Sequence, residues 1–525
     1  MKIQLYDTTL RDGAQGENIS FSVEDKVRIT RKLDDLGISY IEAGWPGSNP
    51  KDDEFFRKKL SLRHAKLVAF GSTRRPKFKA ANDPILQALL QAGTGAITIF
   101  GKSWDFHVRS ALRVPLAENL ELIYDSVAYL KKRVDKLFFD AEHFFDGYRA
   151  NPGYALQAIE AAAQAGADTV VLCDTNGGSL PTTVGEVVRA VRQRLSIPLG
   201  IHGHNDGELA VANSLAAVAA GVVQVHGTIN GIGERCGNAN LVSIIPNLVL
   251  KMGFPCLNGS QLKKLREVSR FVDELLNRPP ANQQPYVGDS AFAHKGGVHI
   301  SAMLKNQRTY EHVDPAKLGN RRRILLSDQS GQSSLLHKAK EFGLRLNPKK
   351  PATRRLLMDL KNLENRGFQF EGAEASFEIL MRKGLDRHRP YFKLIGFRVI
   401  DEKRSADEPP RAEATIQIEV DGEVEHTSAH GVGPVNALDN ALRKALERFY
   451  PQLKEVKLVD YKVRVLPSNS GTHSLVRVLI ESEDKKEKWG TVGVSNNIIE
   501  ASWMALVDSL EYKLMKKKGR PLTGV

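Results

Sequence analysis

The feature that most limits what this chain can fold into is an eightfold alternation along its amino-terminal half. Short apolar or β-branched runs recur at residues 3–6, 38–43, 66–70, 96–100, 136–140, 169–173, 199–202 and 222–225. Between most of them lie segments, at 23–36, 84–91, 116–133, 154–165, 183–195 and 209–220, whose apolar residues fall at three- and four-residue spacings. Runs of the first kind suit strands, and apolar residues three and four apart share one face of a helix. Eight strands alternating with helices in about 250 residues is the length of a (β/α)8 TIM barrel. An open, doubly wound sheet would alternate in the same way, because counting strands does not close a barrel.

A barrel makes a demand that an arbitrary α/β sheet does not: its active site sits at the carboxyl ends of the strands. Following the successive runs stand Asp7, Arg11 and Asp12; Glu42; Ser72 and Thr73; Lys102; Asp140 and Glu142; Asp174 and Thr175; His202, His204, Asn205 and Asp206; and Asn230, Glu234, Arg235 and Asn238. Surface loops are polar in any protein. A solvated surface does not, however, concentrate charged residues at one end of a set of apolar runs.

Beyond the eighth unit the pattern changes. Residues 251–278 read as helices that close the barrel. Residues 279–345 read as loop-rich, with Pro279-Pro280, Gly296-Gly297 and Arg321-Arg322-Arg323, and 346–366 as a basic helix. From about 370 the chain becomes strand-like at 392–400 and 414–420, helical at 437–449, strand-like again at 457–465 and 475–482, and helical at 498–513. A ββα-like unit occurring twice predicts a small α+β domain built by duplication, with Asp421-Gly422 and Glu483-Asp484-Lys485-Lys486 as hairpin connections. The expected division is a catalytic barrel over 1–275, a linker region over 276–370 and a carboxy-terminal domain over 371–525.

Composition enters as exclusion. The 525 residues are 42% hydrophobic and 26% charged, which rules out disordered, collagen-like and disulfide-stapled chains. Three cysteines, Cys173, Cys236 and Cys256, share no CxxC spacing, as in a reduced, cytoplasmic protein. The first residues carry no apolar run of signal-peptide length and no stretch approaches the roughly 20 apolar residues that span a bilayer, so neither export nor membrane insertion is expected. The net charge of +14 attracts anions, but no RNA-binding motif, zinc-finger spacing or aromatic-interleaved basic stripe accompanies Arg321–Arg323 and Lys516–Lys518, so a nucleic-acid partner is not expected.

The strongest chemical signal is His202-Gly203-His204 at the end of the seventh run. Side chains two apart on a strand share a face, so both imidazoles can reach one ion, either as metal ligands or as a hydrogen-bonded pair. A carboxylate from Asp12 would complete a two-histidine, one-carboxylate set suited to Zn²⁺, Mn²⁺, Fe²⁺ or Co²⁺, and Asn238 can add a carbonyl oxygen. Arg11, beside Asp12, is placed either to meet an oxyanion or to pair with that aspartate. A second histidine-bearing segment, AFAHKGGVHISAMLKNQRTY, carries His294, His299 and Tyr310; His299 is a candidate proton-transfer group.

LRDGAQ at 10–15 followed by Lys26, HGHND at 202–206 and NGIGERCGNANL at 230–241 resemble the two signature regions of the 2-isopropylmalate, homocitrate and citramalate synthases. The resemblance continues through AFAHKGGVH and the carboxy-terminal region, covering nearly the whole chain. DTTLRDGAQGENISFSVEDK and EAGWPGSNPKDDEFF are most similar to the citramalate branch, which joins acetyl-CoA to pyruvate; 2-isopropylmalate synthase is the alternative. The resemblance implies a metal-dependent Claisen-type acyltransferase on a barrel, with Asp12, His202, His204 and Asn238 as ligands of a divalent ion (Mn²⁺, Zn²⁺, Mg²⁺ or Co²⁺). It further implies that Arg11 and Thr175 contact the keto acid, that Glu142 and His299 serve acid/base chemistry and that Tyr310 assists them. Asp140 stands where some citramalate synthases carry a tyrosine lining the keto-acid pocket. The carboxy-terminal domain is implied to be regulatory, binding isoleucine through 471–481 and 490–510 at the interface of a homodimer. Arg321–Arg323 is a candidate site for the phosphates of CoA.

Overall fold

The structure is a computed structural model that describes residues 2–325, 331–466 and 474–516. It separates into two compact units, one of residues 1–292 with 312–323 and one of residues 293–311 with those from 324 onward.

In the first unit eight parallel strands close on themselves in sequence order: β1 (Gln4–Asp7), β2 (Tyr40–Gly44), β3 (Lys66–Ser72), β4 (Ala96–Lys102), β5 (Lys136–Glu142), β6 (Thr169–Asp174), β7 (Leu199–Gly203) and β8 (Gln224–Gly227). Closure is made by β1 against β8, with Gln4 opposite Gln224 and Asp7 opposite Gly227. The open-sheet alternative is thereby removed. Helices α1 (Val23–Leu36), α2 (Pro50–Arg57), α3 (Pro84–Gln91), α4 (Leu116–Lys131), α5 (Phe144–Ala150), α6 (Pro152–Gln164), α7 (Pro181–Arg194) and α8 (Ala210–Ala219) intervene. Their starts are written in the sequence. Ser22 accepts from the Asp25 amide while the Asp25 carboxylate accepts from the Ser22 amide, and Asn49-Pro50 and Asp83-Pro84 open α2 and α3. Gly37, at φ 97°, ends α1 in the left-handed conformation that favours glycine. Helices α2 and α5, of 8 and 7 residues, fall outside the segments whose periodicity reveals most of the others.

Strand residues alternate between two environments. Ile3, Leu5, Ile41 and Ala43 join the main core with the helices, whereas Tyr6, Tyr40, Val68, Ala96 and Phe138 cluster separately. Tyr6 stacks on His226 at a centroid distance of 3.8 Å and meets Phe138 edge-on. The barrel is thus a packed core that pairs Tyr6 Oη with Glu42 and Thr98, and His226 Nε2 with Gln224.

The second unit holds α9 (Gly297–Lys305), α10 (Gln332–Glu341), α11 (Pro351–Asn365) and α12 (Glu374–Gly384), then two three-stranded antiparallel sheets, each followed by a helix. The first sheet is β9 (Lys393–Glu402), β10 (Arg411–Val420) and β11 (Glu423–Gly431), followed by α13 (Pro434–Glu447). The second is β12 (Lys457–Val465), β13 (Val476–Glu483) and β14 (Lys488–Ser495), followed by α14 (Ile498–Lys516). The duplicated unit is therefore βββα rather than ββα. The third strands escape a hydrophobicity reading because EVEHTSAHG alternates small and charged residues and KWGTVGVS carries two glycines. Strand β10 turns Ala412, Ala414, Ile416, Ile418 and Val420 inward, the period of two that lays one sheet face on α13. The expected loop-rich stretch at 279–345 contains two helices of 9 and 10 residues. No helix among the described residues is long and apolar enough to cross a membrane.

Candidate active site

The carboxyl ends of β1 and β7 meet at one point. Strand β7 delivers His202, and His204 follows directly; their Nε2 atoms lie 3.3 Å apart. Asp12 comes from the loop after β1, its Oδ2 at 3.3 Å from His202 Nε2 and 3.8 Å from His204 Nε2. Asp12 stands at the start of a short 3-10 turn without capping it, so its carboxylate is free to face the histidines. Among the described residues this is the one group of three such side chains whose ligand atoms lie within 4.8 Å of one another, and all three are buried. Asn238 pairs with His204 across an isolated antiparallel bridge, is 1% exposed, and has neither amide atom hydrogen-bonded within the protein. A Cβ on Gly233 would stand 2.2 Å from Asn238 Nδ2, which makes that glycine a requirement of the loop.

Charge at this point follows from the same neighbours. Burial opposes ionisation of Asp12, but the Arg11 guanidinium and His202 hold its carboxyl well below the usual range. Burial, with His202 adding to it, pushes His204 down to about 4, while Asp12 outweighs burial and raises His202. An ionised carboxylate and a neutral imidazole are the forms in which these side chains bind metal. Two imidazole nitrogens, a carboxylate oxygen and an orphaned buried amide fit a divalent cation.

Behind the cluster Arg11 is fixed on three sides. Its Nε donates to Glu42 Oε1 at 2.5 Å, its Nη1 lies 3.6 Å from Asp12 Oδ2, and its Cζ sits 3.7 Å over the Phe70 ring. Glu42, the one charge within β2 and fully buried, also accepts from Tyr6 Oη at 2.6 Å. Arg11 is therefore aimed by its partners and cannot swing to solvent as a surface arginine does. The sequence marks Glu42 as a charge at a strand end; its bond to Tyr6, 36 residues away, appears only once the barrel closes.

The remaining barrel residues ring the same mouth. Asp140 is 4% exposed with Oδ1 unpartnered, and burial together with the Glu42 carboxylate pushes it up to about 7. Thr175 Oγ1 accepts the backbone N–H of His143 at 2.9 Å, which leaves its own hydroxyl proton to donate elsewhere. Glu142 closes β5 and pairs with Lys102, which closes β4. Arg235 ties the loops together, donating to both Asp206 oxygens at 2.7 and 2.9 Å and to the Thr175 carbonyl at 2.8 Å.

His299 and Tyr310 belong to the second unit, where their rings stack at a centroid distance of 4.3 Å and both side chains are exposed. His294 pairs there with Glu311 at 3.1 Å. Arg321 is exposed, with Arg322 and Arg323 half-buried. Of the segments assigned to effector binding, 474–481 and 490–510 fall on β13, β14 and α14, while 471–473 lie outside the described residues, as do Lys517 and Lys518.

Residues 2–272 match the family described as HMGL-like, 286–367 the homocitrate synthase post-HMGL domain-like family, and 371–514 the LeuA allosteric (dimerisation) domain. The chain is 62% identical over 518 residues to an (R)-citramalate synthase of Geobacter sulfurreducens, covering 98% of each chain. It is 58% identical over 518 residues to an (R)-citramalate synthase of Aquifex aeolicus, again over 98% of each. A 2-isopropylmalate synthase of Methanocaldococcus jannaschii is 30% identical, covering 98% of this chain and 96% of its own.

Proposed function

The chain belongs to the HMGL-like family and, within it, to the (R)-citramalate synthases, and from that membership we propose the reaction and the residues that carry it out. It is a condensing acyltransferase. The barrel joins the methyl carbon of acetyl-CoA to the keto carbon of pyruvate and hydrolyses the thioester, so that acetyl-CoA, pyruvate and water give (R)-citramalate and CoA. The step belongs to isoleucine biosynthesis in the cytoplasm.

Asp12, His202, His204 and Asn238 would hold a divalent ion, Mn²⁺, Zn²⁺, Mg²⁺ or Co²⁺, which when bound polarises a keto carbonyl as a Lewis acid. Arg11, fixed by Glu42 and Phe70, presents its remaining N–H groups to the oxygen that gains charge when the keto carbon is attacked. Thr175 donates its free hydroxyl proton to the keto-acid carboxylate. Asp140 lines the keto-acid pocket. His299, with Tyr310 stacked on it, acts with Glu142 as the acid/base pair that removes a proton from the acetyl methyl group. Residues 1–275 form the catalytic barrel, 276–370 the linker with the catalytic loop, and 371–525 a regulatory domain that pairs two copies and binds isoleucine.

The convergence of Asp12, His202 and His204 beside a fixed Arg11 is the observation that carries this reading. Chelation should stop CoA release from acetyl-CoA plus pyruvate, and returning a divalent ion should restore it. His202→Ala should neither retain the ion nor recover; a chelator-resistant enzyme or a fully active His202→Ala variant contradicts the assignment.

A further inference from the structure

Lys102 has no part in the scheme above, yet its side chain meets Glu142 at the barrel mouth. The two residues close neighbouring strands and stand opposite each other in the β4–β5 register. Their ammonium and carboxylate are in contact, at 19% and 24% exposure. The backbone on both sides is pinned: Asn119 Nδ2 donates to the Lys102 carbonyl at 2.8 Å, and Ser103 Oγ donates to the Glu142 carbonyl at 2.7 Å. The two strands are already joined from Ala96↔Lys136 to Lys102↔Glu142 by their own ladder, so the ion pair is not needed to hold them together.

The other groups around Glu142 do not supply a competing cation. From the β4–α4 connection comes His107, whose ring lies 4.2 Å from His143 and whose buried Nδ1 has no partner; burial, with His143 and Lys102 adding to it, keeps it neutral. His143, next along the chain, turns its Nδ1 to Asp146 at 3.3 Å. Asp140 and the buried thiol of Cys173 complete the surroundings, and neither is a cation at neutral pH.

We propose that Lys102 is a positioning residue that holds the Glu142 carboxylate aimed into the barrel mouth, where it can accept a proton. This rests on the reading of Glu142 as an acid/base group. An adjacent ammonium attracts the carboxylate, and a half-buried site preserves that attraction better than a solvated one. Lysine, a point charge on a flexible stem, leaves the second carboxylate oxygen free, where an arginine fork would engage both.

The test is steady-state kinetics of the full-length, metal-loaded enzyme. Lys102→Met should lower kcat about 10- to 100-fold, the scale of a misplaced catalytic group. It should leave the KM for pyruvate within about twofold of the parent, because the loss lies in the aim of Glu142 and not in substrate binding. Lys102→Arg should restore only part of the rate, because it returns the charge but its fork engages the carboxylate oxygen that lysine leaves free. In a Glu142→Gln background Lys102→Met should cost nothing more. Should Lys102→Met fail to fold, Lys102→Gln makes the same comparison. Parent-like kcat in Lys102→Met, with Glu142→Gln inactive, overturns the role of Lys102 alone. A fully active Glu142→Gln overturns the reading of Glu142 and this inference with it.

Discussion

Replacing Glu42 tests whether Arg11 is held by design or merely packed. Glu42 is fully buried, accepts from Arg11 Nε at 2.5 Å and from Tyr6 Oη at 2.6 Å, and leaves Arg11 with Asp12 at 3.6 Å as its other carboxylate neighbour. Glu42→Leu removes the charge and both acceptors. Arg11 then remains as a buried cation short of a partner, an event that costs about 3–5 kcal/mol. Glu42→Gln keeps an acceptor for Arg11 and an amide for Tyr6 and removes only the charge, so about 1.5–3 kcal/mol is expected. A kcal/mol moves the melting temperature of a domain of 150–250 residues by about 2–4 °C. For the larger barrel unit Glu42→Leu should therefore lower it by roughly 5–10 °C, read by calorimetry. Activity measured on the folded enzyme should fall as well, because Arg11 loses its aim; losing one aligned oxyanion donor costs about 100- to 1000-fold in kcat. Glu42→Gln should lose less of both. A Glu42→Leu enzyme that melts with the parent and turns over at its rate would refute the idea that the Tyr6–Glu42–Arg11 chain aligns the site.

Three further outcomes follow from the structure. Burial pushes the Asp508 carboxyl up to about 6 from 3.8, against the pull of Lys383, so the folded second unit disfavours its charged form. Its contribution to the stability of that unit should be greatest below about pH 4 and fall by roughly 1–3 kcal/mol as pH rises through 4 to 6; Asp508→Asn should remove that component, and a pH–stability curve identical to the parent's would contradict it. A chain ending near residue 370 should lose its response to isoleucine, measured as CoA release with and without the amino acid; retained inhibition would place the effector elsewhere. Gly233→Ala should reduce metal retention, since the added Cβ would stand 2.2 Å from Asn238 Nδ2, and metal analysis of the dialysed variant checks it.

What the sequence reveals and what it hides divides along the range of the interactions. The barrel is legible because its strands and most of its helices announce themselves locally: Ser22 with Asp25 opens α1, Gly37 ends it, and polar residues follow the apolar runs. Likewise His202 and His204 are two apart on one strand, and the structure brings Asp12 to them. Glu42 and Lys102 show only as charges at strand ends, because their partners lie 31 to 40 residues away and meet them through the register of the sheet. The third strands of the carboxy-terminal repeats are hidden for another reason. Edge strands β11 and β14 take their place from the ladder of β10 and β13, so their own residues need not be strongly apolar. His299 and Tyr310 stack on each other within the second unit, which no spacing rule foretells.

The most direct test of the central claim is CoA release from acetyl-CoA by the purified, metal-loaded enzyme with pyruvate, 2-oxoisovalerate and 2-oxoglutarate offered separately. The account predicts by far the highest kcat/KM with pyruvate and (R)-citramalate as the product. Preference for 2-oxoisovalerate or 2-oxoglutarate, or no thiol release with any of the three, would contradict it.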